Sequence, residues 1–265
     1  MSPGELASPQ LGTFDKINVL GVGLGAVNLE QAVDSICQQI RDRERGYICL
    51  APAHSVMDCY RDPRLREIFN RSAMVAPDGM SMVWLAKLSG HGHVRRVYGP
   101  DLMLALCSAS LRDGFSHYFY GGEEGAAREL ASRLKARFPG LRVAGTFSPP
   151  FREFTTTEDK EIVRRMNAAS PELVWVGLGS GKQERWMADH RDRLEAPVLI
   201  GVGAAFDFLA GLKPQAPRWM QRSGLEWLFR LGSEPRRLWP RYRKYPLFLI
   251  LVAAQRLGLR HYPMV

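Results

Sequence analysis

The sequence predicts an α/β fold: a Rossmann-like, mostly parallel sheet flanked by helices, with a helical C-terminal appendage. Two observations predict it. Through residue 212, short apolar runs of strand length alternate with stretches whose apolar residues recur at helical period. After Lys213 the strand signals stop, and Arg, Trp, Tyr and Leu dominate a segment punctuated by Pro214, Pro217, Pro235, Pro240 and Pro246. These shifts divide the chain into an α/β core over 14–212 and a basic, aromatic appendage over 213–265.

Taken in order, Lys16 to Leu20 reads as the first strand. Asn28 then opens a helix, with Gln31 as its capping-box partner and Leu29, Val33, Ile36, Cys37 and Ile40 as its apolar stripe. Strands follow at Tyr47 to Leu50 and Ala73 to Ala76, each leading into a helix. Gly99-Pro100-Asp101 starts the next helix, with proline in the first turn. His117 to Tyr120, Leu141 to Ala144, Leu173 to Leu178 and Val198 to Val202 complete the strands. In the appendage, two helices are expected over about Arg218 to Leu231 and Glu234 to Leu257. Strand–helix alternation of this kind favours parallel pairing, because right-handed crossovers place a helix over the sheet after each strand.

With 265 residues and 46% apolar content, the chain has material for a core without metal or disulfide staples. Cys37, Cys49, Cys59 and Cys107 follow no zinc-like spacing and sit in apolar stretches, as buried free thiols do. Met1 to Thr13 carries no secretory signal pattern. The longest uncharged apolar run, Leu247 to Ala254, is far shorter than the roughly 20 residues of a spanning helix. A cytoplasmic protein, or one lying on a membrane surface, is expected. The net charge of +9 is concentrated in the appendage, where eleven Lys or Arg face only Glu226 and Glu234. The remainder is neutral.

In a parallel sheet, ligands bind beyond the carboxyl ends of the strands. Four turns there merit weighing. Gly21-Val-Gly-Leu-Gly25 lacks the G-x-G-x-x-G spacing of a dinucleotide site, so it reads as turn or packing. Gly121-Gly122 precedes a helix and could approach a nucleotide, although Glu123 and Glu124 already suit the positive helix end. Gly179-Ser-Gly-Lys-Gln-Glu184 offers Ser180 as N-cap and Lys182 with Gln183 near a helix terminus, which suits a base and its phosphates. Pro77-Asp78-Gly79 holds a carboxylate on a sharp turn, either as a proton acceptor or as ordinary turn chemistry. The histidines form no metal-ligand spacing and no D-x-D metal clamp is present. Charge on a leaving group would then fall to Arg, Lys and backbone dipoles.

Several segments together resemble the WecG/TagA/CpsF glycosyltransferase family. They are Ala76-Pro-Asp-Gly-Met-Ser-Met-Val-Trp84, Arg96-Val-Tyr-Gly-Pro-Asp-Leu-Met103 and Tyr120-Gly-Gly-Glu123. Further along come Gly177-Leu-Gly-Ser-Gly-Lys-Gln-Glu184, Gly201-Val-Gly-Ala-Ala-Phe-Asp-Phe-Leu-Ala-Gly211 and Ala216-Pro-Arg-Trp-Met-Gln-Arg-Ser-Gly-Leu-Glu-Trp-Leu-Phe-Arg230. The ordered set spans about residues 15 to 245.

The resemblance implies an inverting transfer from a UDP-sugar donor to a polyprenyl-diphosphate-linked sugar, without a metal or other cofactor. It assigns the general base to Asp78. Gly121, Gly122, Lys182, Gln183, Glu184 and Asp207 would line the nucleotide-sugar pocket. The appendage would close over it and bring Arg218, Arg222, Arg230 and Arg237 toward the diphosphate. Where many members carry Thr-x-Asn after the second strand, this chain has Ala51-Pro-Ala53, then His54 as a substitute polar contact or a structural histidine. The donor sugar is therefore open.

The appendage also reads as an anchor for an anionic membrane at the inner face of the plasma membrane, through Trp239, Tyr242, Tyr245, Leu247, Phe248, Leu249 and Ile250. Two readings compete: a nucleic-acid binding protein using the basic tail, and a catalytically weak binder of lipid-linked sugars. The basic residues alternate with large apolar ones and no nucleic-acid module precedes them, which disfavours the first.

Overall fold

A computed structural model describes residues 14–264 except 151 and 153. The first thirteen residues, read above for a secretory signal, lie outside it.

The chain opens with a hairpin, β1 (Lys16–Val19) and β2 (Val22–Gly25), paired antiparallel. Then come α1 (Leu29–Arg41), β3 (Gly46–Ala51), α2 (Ala53–Arg61), α3 (Pro63–Asn70), β4 (Met74–Pro77), α4 (Met80–Leu88) and α5 (Gly99–Asp113). The second half of the core holds β5 (Ser116–Gly121), α6 (Ala126–Arg137), β6 (Arg142–Phe147), α7 (Thr156–Ala168), β7 (Leu173–Gly177), α8 (Lys182–His190), β8 (Val198–Gly201) and α9 (Ala205–Leu209). Four helices end the chain: α10 (Arg218–Arg222), α11 (Glu226–Ser233), α12 (Pro235–Tyr242) and α13 (Tyr245–Arg256).

Strands β3 to β8 form one six-stranded sheet in the order β4-β3-β8-β7-β5-β6, every pair parallel. The predicted α/β class is what the molecule has. Both sheet faces are covered, so each strand feeds two cores by alternation. Tyr47, Cys49, Val75, Tyr120, Val174 and Val176 pack with α2, α3, α7, α8 and α13. Ile48, Leu50, Phe119, Leu173, Trp175 and Ile200 pack with α1, α5, α6 and α9. His117 is fully buried, with Trp175 Nε1 donating to its Nδ1 at 2.9 Å and Ser110 Oγ beside its Nε2 at 2.9 Å. It is a satisfied core histidine. All four cysteines are buried free thiols.

The Asn28 capping box forms as expected: Gln31 N donates to Asn28 Oδ1 at 3.0 Å and Asn28 N to Gln31 Oε1 at 3.1 Å. Other expectations need correction. Lys16 to Leu20 does not join the main sheet; Leu20 and Gly21 both adopt positive φ (52° and 87°) and turn the chain back into β2. Two residues of that conformation fit the tight hairpin turn whose twist matches its strands. The β6 strand runs later than Leu141 to Ala144. The appendage has four helices rather than two. Gly224, at φ +78° with the Trp84 ring against its α-carbon, separates α10 from α11. Pro235 and Pro246 occupy the first turns of α12 and α13.

The C-terminal helices are fastened to the core at several points. Phe248, Leu251 and Val252 of α13 enter the core beneath β3 and α2. Lys244 Nζ donates to Asp58 Oδ1 at 2.7 Å. Gln255 bridges to the hairpin, accepting from Leu20 N (2.9 Å) and donating to Asn18 O (3.1 Å). Asn18 Nδ2 then donates to Tyr262 O at 2.6 Å, while the Tyr262 ring meets Tyr60 edge-on. Among the described residues no helix is long and apolar enough to cross a membrane.

Candidate functional site

Parallel pairing puts the carboxyl ends of β3, β4, β5, β7 and β8 on one edge, and a cleft of about 1690 Å³ opens there. That exceeds the roughly 300–1,000 Å³ of a single small-molecule pocket, so two substrates can meet in it. The C-terminal helices contribute Glu226, Arg230, Arg237, Arg241, Tyr242 and Tyr245 to its lining.

Asp78 follows β4 directly. Pro77 is tolerated because β4 is an edge strand, and Gly79 at φ +122° allows the abrupt start of α4. The loop over 89–98 is clipped to the end of β4 by Val97 N donating to Pro77 O at 2.8 Å. This sets Arg96 beside Asp78: Nε and Nη2 approach Oδ1 at 3.1 and 3.0 Å. From the opposite side, Glu226 Oε2 of α11 accepts from Arg96 Nη1 at 2.6 Å. The guanidinium also lies 4.0 Å over the Tyr98 ring. Asp78 keeps 20% of its side-chain surface open to the cleft.

The electrostatics follow from this geometry. Burial raises the Asp78 pKa, Arg96 pulls it back, and Glu226 pushes it up again, leaving it above an ordinary aspartate. For Arg96, burial opposes the charge, but Asp78 and Glu226 more than offset that and the guanidinium stays protonated. A carboxylate of raised basicity at the mouth of a cleft can accept a proton from a bound hydroxyl.

His54 sits at the start of α2, buried and lining the cleft. Burial, then the charges of Arg241, Arg230 and Lys244, lower its pKa to about 3, so the ring is neutral. Among the described residues its Nδ1 has no partner, and neither do Tyr98 Oη and Gln183 Oε1, both from cleft-lining residues. Buried polar atoms are seldom left unpaired, and a ligand in the cleft would satisfy these.

The glycine pair divides its work. A Cβ on Gly121 would lie 2.6 Å from the Gly177 backbone, so this residue permits β5 and β7 to approach and does not itself line the cleft. Gly122, at φ +73°, does line it, but its N–H is used by Gly177 O at 3.0 Å. The α8 turn departs from expectation as well. Gly181, not Ser180, caps the helix, and its N–H donates to Glu184 Oε2 at 2.6 Å. Ser180 Oγ instead meets Ser55 Oγ at 2.9 Å. Glu184 is fully buried and also accepts from Gln183 Nε2 at 2.9 Å, so it organises the turn. Lys182 is exposed along the cleft. Asp207 lines the cleft too, paired with Lys213 at 2.8 Å.

Of the four appendage arginines singled out from sequence, two reach the cleft. Arg230 stacks over Phe208 at 5.5 Å, and Arg237 pairs with Glu234 at 2.5 Å. Arg218 is held outside by Asp101, with two contacts of 2.9 Å, and Arg222 is exposed away from the lining. Both belong to α10, which is tied to α5 by the Arg218–Asp101 pair and lines the cleft through Gln221 instead.

Sequence reasoning missed Arg96, Tyr98, Glu226 and Arg241. The available signal was Glu226 itself, one of two acids among eleven cations. Arg241 is half-buried, and burial followed by Arg237 and Arg230 lowers its pKa. Neither Arg230 nor Arg241 forms an ion pair among the described residues. A crowded cation cluster of this kind creates a positive potential that attracts anions.

The chain is similar to known proteins over most of its length. A family model described as "Glycosyl transferase WecG/TagA/CpsF family" matches residues 17–262. A protein of Bacillus spizizenii named N-acetylglucosaminyldiphosphoundecaprenol N-acetyl-beta-D-mannosaminyltransferase is 28% identical over 212 residues, covering 80% of each chain. Proteins of the same name from Bacillus subtilis and Staphylococcus aureus are similar as well. The first is 26% identical over 226 residues, covering 85% of this chain and 86% of the relative. The second is 22% identical over 240 residues, covering 90% and 92%.

Proposed function

The chain belongs to the WecG/TagA/CpsF glycosyltransferase family, and from that premise we propose that it moves a sugar from a UDP-sugar to a polyprenyl-diphosphate-linked saccharide in cell-surface polymer synthesis. One observation carries the reading: Asp78 at a strand end and the Arg230–Arg237–Arg241 cluster of the C-terminal helices line the same cleft. The acceptor class follows the relatives, whose name specifies a diphospho-undecaprenol-linked N-acetylglucosamine.

In this mechanism Asp78 takes the proton of the acceptor hydroxyl as that oxygen attacks the anomeric carbon. The UDP–sugar bond breaks on the opposite face, which inverts the anomeric centre. Negative charge developing on the departing diphosphate is met by Arg230, Arg241 and Lys182, so the cleft does with cations what a metal does elsewhere. Gln183, Gly122 and Asp207 flank the nucleotide-sugar. His54, neutral and with Nδ1 unpaired, offers the donor sugar a hydrogen bond where Ala51 and Ala53 offer none.

UDP release on incubation with candidate UDP-sugars and a polyprenyl-diphosphate N-acetylglucosamine tests this directly. Release that requires both substrates and survives EDTA is the expected result. Binding of the lipid-linked sugar without release would point to the non-catalytic alternative.

Attachment at the inner face of the membrane is part of the same proposal. Tyr242 and Phe248 turn inward, whereas Trp239, Leu249 and Ile250 are 59%, 64% and 65% exposed beside the exposed Arg236 and Arg243. Each cation near an anionic leaflet contributes about 1 kcal/mol. The triple variant Trp239→Ser/Leu249→Ser/Ile250→Ser is expected to lose flotation with phosphatidylserine vesicles. Its thermal stability should change little, because substitutions at exposed positions usually stay within about 0.5 kcal/mol. A triple variant that still floats overturns the anchor.

A further inference from the structure

We propose that Glu226 is a positioning residue that makes the appendage part of the proton-accepting unit: by gripping Arg96, it completes the Asp78–Arg96 arrangement only when α11 is seated. The inference rests on the reading of Asp78 as the base.

The geometry is a three-member chain. Arg96 is shared between Asp78 of the core and Glu226 of the C-terminal helices, 130 residues away along the sequence from Arg96. All three side chains are largely buried, at 20%, 16% and 11% exposure for Asp78, Arg96 and Glu226. An arginine engaged by Asp78 alone would stabilise the carboxylate form and blunt its basicity. A second carboxylate on the other side of the guanidinium divides that positive charge and repels the charge on Asp78. It also fixes the plane of Arg96, which presents its donors as a rigid fork.

Among the described residues, the charged and titratable groups that bear on Asp78 are Arg96 from the 89–98 loop and Glu226 and Arg230 from α11, with Tyr98 at the start of α5 and Tyr245 on α13. Arg230 pulls the Asp78 pKa down as Arg96 does, more weakly than Glu226 pushes it up. Of these, Glu226 alone is an acid that opposes Arg96. Because it is carried by α11, loosening the C-terminal helices takes away both the cover of the cleft and the tuning of its base. An open enzyme then has a poorly basic Asp78 and does not waste donor on water.

The test compares Glu226→Gln, Glu226→Asp and Asp78→Asn in full-length protein, by the pH profile of kcat/KM for UDP release. Activity requires ionised Asp78, so kcat/KM falls as pH drops through its pKa. Removing the Glu226 charge lowers that pKa, and the acid limb of Glu226→Gln should move toward lower pH. A mispositioned Arg96 should lower kcat at neutral pH by about 10- to 100-fold, with Glu226→Asp recovering part of the loss. Thermal unfolding confirms that each variant is folded. A Glu226 that merely docked the appendage would raise KM and lower the melting temperature, leaving the acid limb where it was. That outcome, with the limb abolished in Asp78→Asn, overturns the proposal while sparing the base assignment. A limb that persists in Asp78→Asn overturns the base assignment and this proposal with it.

Discussion

Asp78→Asn is expected to reduce turnover by about 10²- to 10⁴-fold, the range that a positioned general base contributes. The substitution is nearly isosteric. Asparagine retains an oxygen for Arg96 but cannot take up the acceptor's proton. Its surroundings explain why aspartate suffices here. Burial and the Glu226 charge raise its basicity against the pull of Arg96, and the 20% of its surface that stays open lies along the cleft. The measurement is UDP release at saturating donor and acceptor, with thermal unfolding as the check on folding. Asp78 touches Arg96 and the Ala51 carbonyl rather than the packed core, so the fold should survive. Near-normal turnover in a folded variant would remove Asp78 from the chemistry.

The second large effect concerns the cations. Arg230→Ala and Arg241→Ala are each expected to lower turnover by about 10²- to 10³-fold, the loss seen when a preorganised charge-stabilising donor is removed. The two guanidiniums repel one another and Arg237, with Asp58 only partly opposing this at Arg241, and neither forms a direct ion pair among the described residues. An incoming diphosphate resolves that repulsion. UDP should therefore raise the melting temperature of the wild-type protein and have little effect on the double variant. Lysine at either position should restore only part of the activity, since an ammonium lacks the two-pronged geometry that matches phosphate oxygens. Undiminished protection by UDP in the double variant would locate the diphosphate elsewhere.

Much of the fold was legible in the sequence because its signals are local. Strand length, helical period, the Asn28–Gln31 cap and Gly-Pro turns depend on neighbours within a few positions, and they recovered the parallel sheet and its strand-end cleft. What escaped depends on distant partners or on unfavourable backbone. Leu20 adopts a positive φ that leucine seldom takes, so the hairpin looked like a strand with a glycine turn after it. Ser180 has the residue type of an N-cap, but Glu184 reaches back to Gly181 and takes that role.

The site was legible in the same measure. Asp78, Lys182 and Gln183 belong to strand-end turns and can be found by position, whereas His54, in the first turn of α2, enters only through the family resemblance. Arg218 and Arg222 share a segment with Arg230, yet they fall on a separate short helix because Gly224 redirects the chain. The pairing of Arg96 with Glu226 spans too much sequence for any local pattern to reveal. The imbalance of charge in the tail pointed to Glu226 only as an oddity.

The hairpin at residues 16–25 has a consequence for how the protein is made. Its strand ends are clasped by Gln255 and Tyr262, with sequence separations up to 244 residues. The hairpin is therefore synthesised well before the helix and the tail that tie to it. Contacts this remote close slowly, and a chain still emerging from the ribosome holds its strand ends uncovered, lacking both the arginines and the carboxylate that the final helices deliver. A chain on which the C-terminal helices have not yet docked therefore lacks one whole side of the cleft.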